Sequence, residues 1–322
     1  VLIFFGLATA VVVIQNVAGA GVAMALGQPP LMGVLAGSVT MTGGPATALA
    51  FAPLFEQAGV PAGAALGVAA AMAGIVAGGL LGGPIGTYLV RRSRDRQPQP
   101  MEMRQPVAEH IVEAALPEPV STKVPEGEDS EAYDLLKAIV VILAAMWFGA
   151  WVSQWLVNAA ANAGFRLTLP AYIGAMLVAA LFRNIDDVTG VFGLSQRVID
   201  DLGGAALSLF LVMALMNLRL EQLAGLAGPL TIMLLVQVAI VALIAIFVVW
   251  NVMGRDYEAS VMSSGFTGFG LGTSANAMAN MTAIAERYGP APKAFLVVPM
   301  VGAFFIDFTN ALLITVFLNY FT

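Results

Sequence analysis

Long apolar stretches separated by short polar breaks set the pattern of this chain. Residues 1–26, 60–90, 132–159, 168–182, 202–218, 230–250 and 291–320 consist almost entirely of Ala, Val, Leu, Ile, Met, Phe and Gly. The longer runs exceed about 18 residues, enough to cross a hydrocarbon core of roughly 30 Å as a helix. None alternates apolar and polar positions as the strands of an outer-membrane barrel do. The pattern predicts an all-α polytopic membrane protein.

Two segments interrupt the apolar pattern without becoming charged. Residues 37–55 and 263–286 are rich in Gly, with Thr, Ser and Asn among them. Backbone that leaves its N–H and C=O groups unpaired is not tolerated against lipid, so such segments at membrane depth line a cavity. We read them as re-entrant helical hairpins over about 32–56 and 259–286. The order helix, Gly-rich hairpin, helix fills 1–90 and recurs over 230–320. Details recur too, Ile14-Gln15 against Val236-Gln237 and Gly59-Val60-Pro61 against Gly289-Pro290-Ala291. Three further helices, at 132–159, 168–182 and 202–218, precede the second copy. A five-helix unit crosses the membrane an odd number of times, so its duplication gives an inverted repeat, the plan of many secondary transporters. On this reading 1–90 is the C-terminal part of the first repeat and 132–322 is the second. The matching three helices of the first repeat are then expected upstream of Val1.

Between the halves, 91–131 is polar and holds Pro98, Pro100, Pro106, Pro117, Pro119 and Pro125, so it is expected to be a flexible linker. It carries Arg91, Arg92, Arg94, Arg96, Arg104 and Lys123, which places it in the cytoplasm by the excess of basic residues in inner loops. Tracing the spans onward leaves Arg166 and Arg219 outside and puts Lys137, Arg183, Arg197, Arg255, Arg287 and Lys293 inside. The C-terminus is then periplasmic, the membrane is a bacterial inner membrane, and the two hairpins enter from opposite faces.

Composition agrees with this picture. The chain is 59% hydrophobic and 11% charged, with a mean hydropathy of +0.86, far from a soluble domain of 322 residues. It has no Cys and one His, His110 in the linker, which argues against thiolate or imidazole chemistry and against an enzyme. No P-loop or nucleophile elbow is present, and no organic cofactor or nucleic-acid partner is implied. Trp147, Trp151 and Trp155 form a stripe facing lipid or a second copy.

The candidate chemistry lies at the hairpin tips. Thr42, Gly43, Gly44 and Thr47 in the first, and Gly272, Thr273, Ser274 and Asn276 in the second, combine close backbone approach with uncharged oxygen and nitrogen. Half-helices meeting there turn orphan N–H groups toward an anionic substrate, and Asn280 follows the second tip by one turn. Asp307 is the one carboxylate deep in a predicted span, and Asn310 shares its helix face, so the pair offers oxygens to Na⁺. Gln15, Asn16 and Gln237 sit mid-helix, with Gln15 and Asn16 as further ion ligands. Asp307 acting as a proton site in a proton-coupled transporter of an organic anion is the alternative.

The stretches Gly254-Arg255-Asp256-Tyr257, Gly268-Phe269-Gly270-Leu271-Gly272, Ala277-Met278-Ala279-Asn280-Met281 and Phe295-Leu296-Val297-Val298-Pro299-Met300-Val301-Gly302-Ala303-Phe304-Phe305-Ile306-Asp307 resemble the bacterial sodium/glutamate symporter family. Gly37-Ser38, Thr42-Gly43-Gly44 and Gly82-Gly83-Pro84 add to the likeness. The resemblance implies Na⁺-coupled import of L-glutamate or a related anionic amino acid by a homodimer, through an elevator-type motion of a core against a scaffold. The tips differ from the family's pattern. Gly43-Gly44-Pro45-Ala46-Thr47 stands where Gly-Gly-His-Gly-Thr is usual, and Ala275-Asn276 where Pro-Thr is usual.

Overall fold

The structure, a computed structural model, describes residues 1–93, 131–162, 171–216 and 225–322. Most of the expected linker, with His110 and its prolines, lies outside the described residues, as do Arg166 and Arg219. The described residues form helices and no strand, as the apolar pattern predicts. The chain is a membrane protein. It divides into two compact units, Val1–Met101 with Met213–Thr322, and Glu102–Val212.

In the first unit α1 (Leu2–Ala25) leads to a short helix α2 (Pro30–Val34), which runs into a π-helical turn (Leu35–Val39). Gly37 breaks the helical backbone inside that turn. Thr42 and Gly43 form the bend before α3 (Gly44–Gln57), and α4 (Gly63–Arg92) follows. This order of a long helix, a pair of short helices and a long helix returns later in the chain. There α8 (Ala227–Ile244) continues through a π-helical turn (Ala245–Val249) into α9 (Trp250–Val252). The second short pair is α10 (Tyr257–Gly270) and α11 (Ser274–Tyr288). Last come α12 (Pro292–Met300), a π-helical turn (Val301–Phe305) and α13 (Ile306–Phe321).

Small residues let this unit pack closely. Gly74, Gly78, Gly82 and Gly86 recur every fourth position on one face of α4, against the α10–α11 pair. A Cβ on Gly74 would lie 2.3 Å from the carbonyl oxygen of Leu271, and one on Gly86 would lie 2.8 Å from the Cβ of Ser264. Helices in lipid associate through such van der Waals contact and interhelical hydrogen bonds, since the tails are as apolar as the side chains. Ser264 Oγ donates to the Gly82 carbonyl at 2.8 Å, locking the register. Phe4, Phe266 and Phe269 meet edge to face and fill the space between α1 and α10.

The second unit holds α5 (Glu131–Asn162), α6 (Ala171–Thr189) and most of α7 (Gln196–Met216). Gly149 and Gly174 allow α5 and α6 to touch backbone to backbone, and Ser153 Oγ accepts from the Gly174 N–H at 2.9 Å. Asp186, beyond the apolar part of α6, accepts from the N–H groups of Phe192, Gly193 and Leu194 at 2.7 to 2.8 Å. These bonds, led by that from Leu194, hold its carboxyl below the usual carboxylate pKa. Trp147, Trp151 and Trp155 stay exposed along α5.

Four described helices are long and apolar enough to cross a membrane: α1, α4, the Tyr133–Asn162 part of α5, and Ala227–Val252. The other expected spans are less uniform. Arg183, Asp186 and Asp187 shorten the apolar part of α6, Arg197, Asp200 and Asp201 that of α7, and a π-helical turn interrupts 292–321.

Candidate functional site

The two bends meet. Gly44, with φ +67°, opens α3, and a Cβ placed on it would lie 3.0 Å from the carbonyl oxygen of Gly272 and 3.7 Å from the Thr273 methyl. Both α3 and α11 therefore begin at this junction, bringing two helix N-termini and their orphan N–H groups together. Each N-terminus carries about half a positive charge, so an anion is favoured between them. Thr273 Oγ1 accepts from the Asn276 N–H as the N-cap of α11. At α3, Gly43 supplies no capping oxygen, and Pro45 supplies no N–H.

Gln15 ties the bends to each other. It is fully buried in α1. Its Oε1 accepts from Thr42 Oγ1 at 2.7 Å, and its Nε2 donates to the Gly270 carbonyl at 2.9 Å. From α8, Gln237 Nε2 donates to the Gln15 carbonyl at 2.7 Å. A glutamine suits this place because its amide supplies a donor and an acceptor without charge.

At the next residue of α1, Asn16, a second polar cluster surrounds the helix break at Gly37. Asn16 Oδ1 accepts from the Ser38 N–H at 3.1 Å, and Asn310 Nδ2 donates to the Ser38 carbonyl at 3.1 Å. All three residues are buried. Among the described residues, Ser38 Oγ, Asn310 Oδ1, Asn16 Nδ2 and Gln237 Oε1 have no hydrogen-bond partner. Leaving such atoms unpaired costs roughly 1–3 kcal/mol each, so a cluster of them calls for a ligand. Asp307 precedes Asn310 by one turn of α13, is partly buried, and accepts no hydrogen bond and joins no ion pair among the described residues. Thr309 turns back to the Phe305 carbonyl.

The remaining expected residues divide by what they touch. Ser274 Oγ donates to the Gly302 carbonyl at 2.9 Å. Asn276 Nδ2 and Asn280 Nδ2 donate to the carbonyls of Ile75 and Gly78 in α4, at 2.7 and 3.0 Å. Those amide nitrogens thus fasten α11 to α4. Gly43 packs on Thr47, which is half-buried at the first bend. Ser38 escaped the sequence reading as a site residue, although the glycine before it marked a break. Among the described residues no group of three or more His, Cys, Asp or Glu is placed to hold a metal ion.

The family model described as sodium/glutamate symporter matches residues 1–290. The chain belongs to the sodium/glutamate symporter family. It is 41% identical to the sodium/glutamate symporter of Escherichia coli (strain K12) over 317 residues, 98% of this chain and 75% of that protein. To the Haemophilus influenzae sodium/glutamate symporter it is 39% identical over 315 residues, 98% of this chain and 74% of that protein. No solved structure matches the chain. Its relatives are named as transporters, not enzymes, and the resemblance read from the sequence is borne out.

Proposed function

We propose that the chain couples the entry of Na⁺ to the import of L-glutamate, or of a related anionic amino acid, across a bacterial inner membrane. The observation that carries this reading is the meeting of α3 and α11 at Gly44 and Gly272, two positive helix ends facing one place. Substrate carboxylate binds to the free N–H groups there, with Thr42, Thr47, Thr273 and Ser274 around it. Na⁺ binds at Ser38 Oγ and Asn310 Oδ1, whose lone pairs lack partners, with the Asp307 charge one turn away and Gln15 and Asn16 supporting the site.

Coupling follows from shared parts. Ser38 belongs to the first hairpin, so a cation held there orders the same segment that presents Thr42 and Gly44 to the anion, and each ligand strengthens the other. The two short-helix pairs act as re-entrant hairpins of an inverted repeat, entering from opposite faces, with the linker cytoplasmic and the C-terminus periplasmic. Alternating access proceeds by an elevator-type movement of one body against another in a homodimer. A chain that divides into two compact units suits such a movement.

Uptake of labelled L-glutamate into proteoliposomes tests this. A Na⁺ gradient is expected to drive accumulation, and collapsing it to abolish accumulation. Accumulation driven by a proton gradient alone, and lost in Asp307→Asn, would instead establish the proton-coupled alternative.

A further inference from the structure

A charged site lies where α4 and α9 end. Arg91, Arg92, Trp250, Asn251 and Arg255 line a cavity of about 520 Å³ that opens to one side. Two helices long and apolar enough to span the membrane finish here, at Arg92 and Val252. The cavity therefore sits where hydrocarbon gives way to headgroups, a level that tryptophan favours.

Three arginines line this cavity. None of Arg91, Arg92 and Arg255 forms an ion pair among the described residues. Arg92 stacks over the Trp250 ring at 5.6 Å and donates to the Tyr88 hydroxyl at 3.1 Å, both uncharged partners. The carboxylates nearest in sequence are engaged elsewhere. Asp256 caps α10 through the Ala259 N–H at 2.8 Å, and Glu258 accepts from the N–H groups of Lys293 and Ala294. The C-terminal dipoles of α4 and α9 offset at most about half a charge each, which leaves net positive charge in the cavity.

Arg255 reaches the cavity by an uncommon backbone conformation. Its φ is +58°, just after Gly254 at +121°, and its N–H closes the helix end onto the Trp250 carbonyl at 3.0 Å. Glycine would take that conformation at lower cost. The chain accepts the cost and gains a third guanidinium beside the other two.

We propose that this cavity binds the phosphate headgroup of an anionic phospholipid. Arginine forks match phosphate oxygens in pairs. The Trp250 ring supplies an apolar wall for the glycerol region, and its own N–H is already given to Ser260 Oγ at 3.2 Å. A bare phosphate ion uses neither that wall nor the membrane-level position. The site is independent of the hairpin bends, so it stands or falls separately from the transport reading.

Native mass spectrometry of the whole chain tests the assignment, with added phosphatidylglycerol, phosphatidylcholine or inorganic phosphate. Phosphatidylglycerol is expected to stay bound and the other two to dissociate. Each of Arg91→Gln, Arg92→Gln and Arg255→Gln should weaken retention by about fivefold, the weight of one basic residue near an anionic surface. Arg287→Gln, which removes a charge elsewhere, should not. Arg255→Gly separates binding from folding, because it relieves the backbone and removes the charge together. We expect its unfolding temperature to hold or rise while lipid retention falls. Equal retention by Arg255→Gly and the parent chain, equal loss in Arg287→Gln, or equal binding of inorganic phosphate would each overturn the proposal.

Discussion

Gln15 in α1 donates to the backbone carbonyl of Gly270 at the end of α10, while the same amide accepts from Thr42 in the first bend. One uncharged side chain thus joins two bends far apart in sequence. Its removal leaves buried groups unpaired on both sides. Gln15→Leu is expected to lower stability by about 1–3 kcal/mol and to abolish glutamate uptake, read by thermal unfolding in detergent and by proteoliposome transport. Gln15→Glu keeps the acceptor for Thr42 but loses the donor to Gly270, so it should disturb the second bend more than the first.

Gly44→Ala tests the junction itself. The position requires a left-handed backbone, which costs an alanine roughly 1–2 kcal/mol, and the new methyl would press on the Gly272 carbonyl at 3.0 Å. Substrate affinity should fall several-fold. Gly83→Ala meets nothing within 4 Å and should behave as the parent chain.

The glycine face of α4 predicts a compensating pair. A Cβ on Gly82 would sit 2.0 Å from Asn280 Nδ2, so Gly82→Ala should unfold at a distinctly lower temperature. Shortening the partner in Gly82→Ala/Asn280→Ala should recover part of that loss, a coupling of about 0.5–3 kcal/mol in a double-mutant cycle. Strict additivity would mean that the two residues do not touch.

Ser38→Ala and Asn310→Leu each remove an oxygen with no partner among the described residues. Neither should lose much stability through Ser38 Oγ or Asn310 Oδ1, yet both should raise the Na⁺ concentration for half-maximal uptake by about tenfold or more, the weight of roughly one lost ion ligand. Asn310→Leu also drops the bond to the Ser38 carbonyl, so it should be the less stable of the two. Unchanged Na⁺ dependence in both would remove the ion from this cluster.

In the second unit, Asp186 offers a pH test. Its folded pKa lies below the usual carboxylate range because three N–H groups favour the charged form. The stabilisation is therefore complete above the ordinary carboxylate range and fades as pH falls through the lowered folded value. Protection of the Phe192, Gly193 and Leu194 N–H groups, read as the exchange rate relative to an unstructured peptide at the same pH, should be high at neutral pH and fall as the carboxyl is protonated. In Asp186→Asn that protection should be low at neutral pH as well.

Much of this was legible in the sequence because the membrane imposes strong rules on composition and length. The apolar runs marked the helices, and Gly with hydroxyl residues fell where the structure has the short helices α2–α3 and α10–α11. Partnerships were less legible. Asn276 and Asn280 looked like site amides, but whether such a nitrogen faces a ligand or a neighbouring helix depends on the packing of α4, which sequence spacing does not encode. Ser38 carried no local mark beyond following Gly37. The glycines at 74, 78, 82 and 86 carry no sequence mark of the α10–α11 atoms they meet. The arginine cavity needed the ends of α4 and α9 brought side by side.

The absence of Cys in the chain makes the central claim directly measurable. Single cysteines at the exposed bend positions, Ala46→Cys and Ala275→Cys, can be labelled with a membrane-impermeant thiol reagent in proteoliposomes. If the two bends jointly hold the substrate and its ion, L-glutamate and Na⁺ together will slow labelling at both positions, and either alone will do so far less. Protection at only one bend, or equal protection by L-glutamate in the absence of Na⁺, would contradict it.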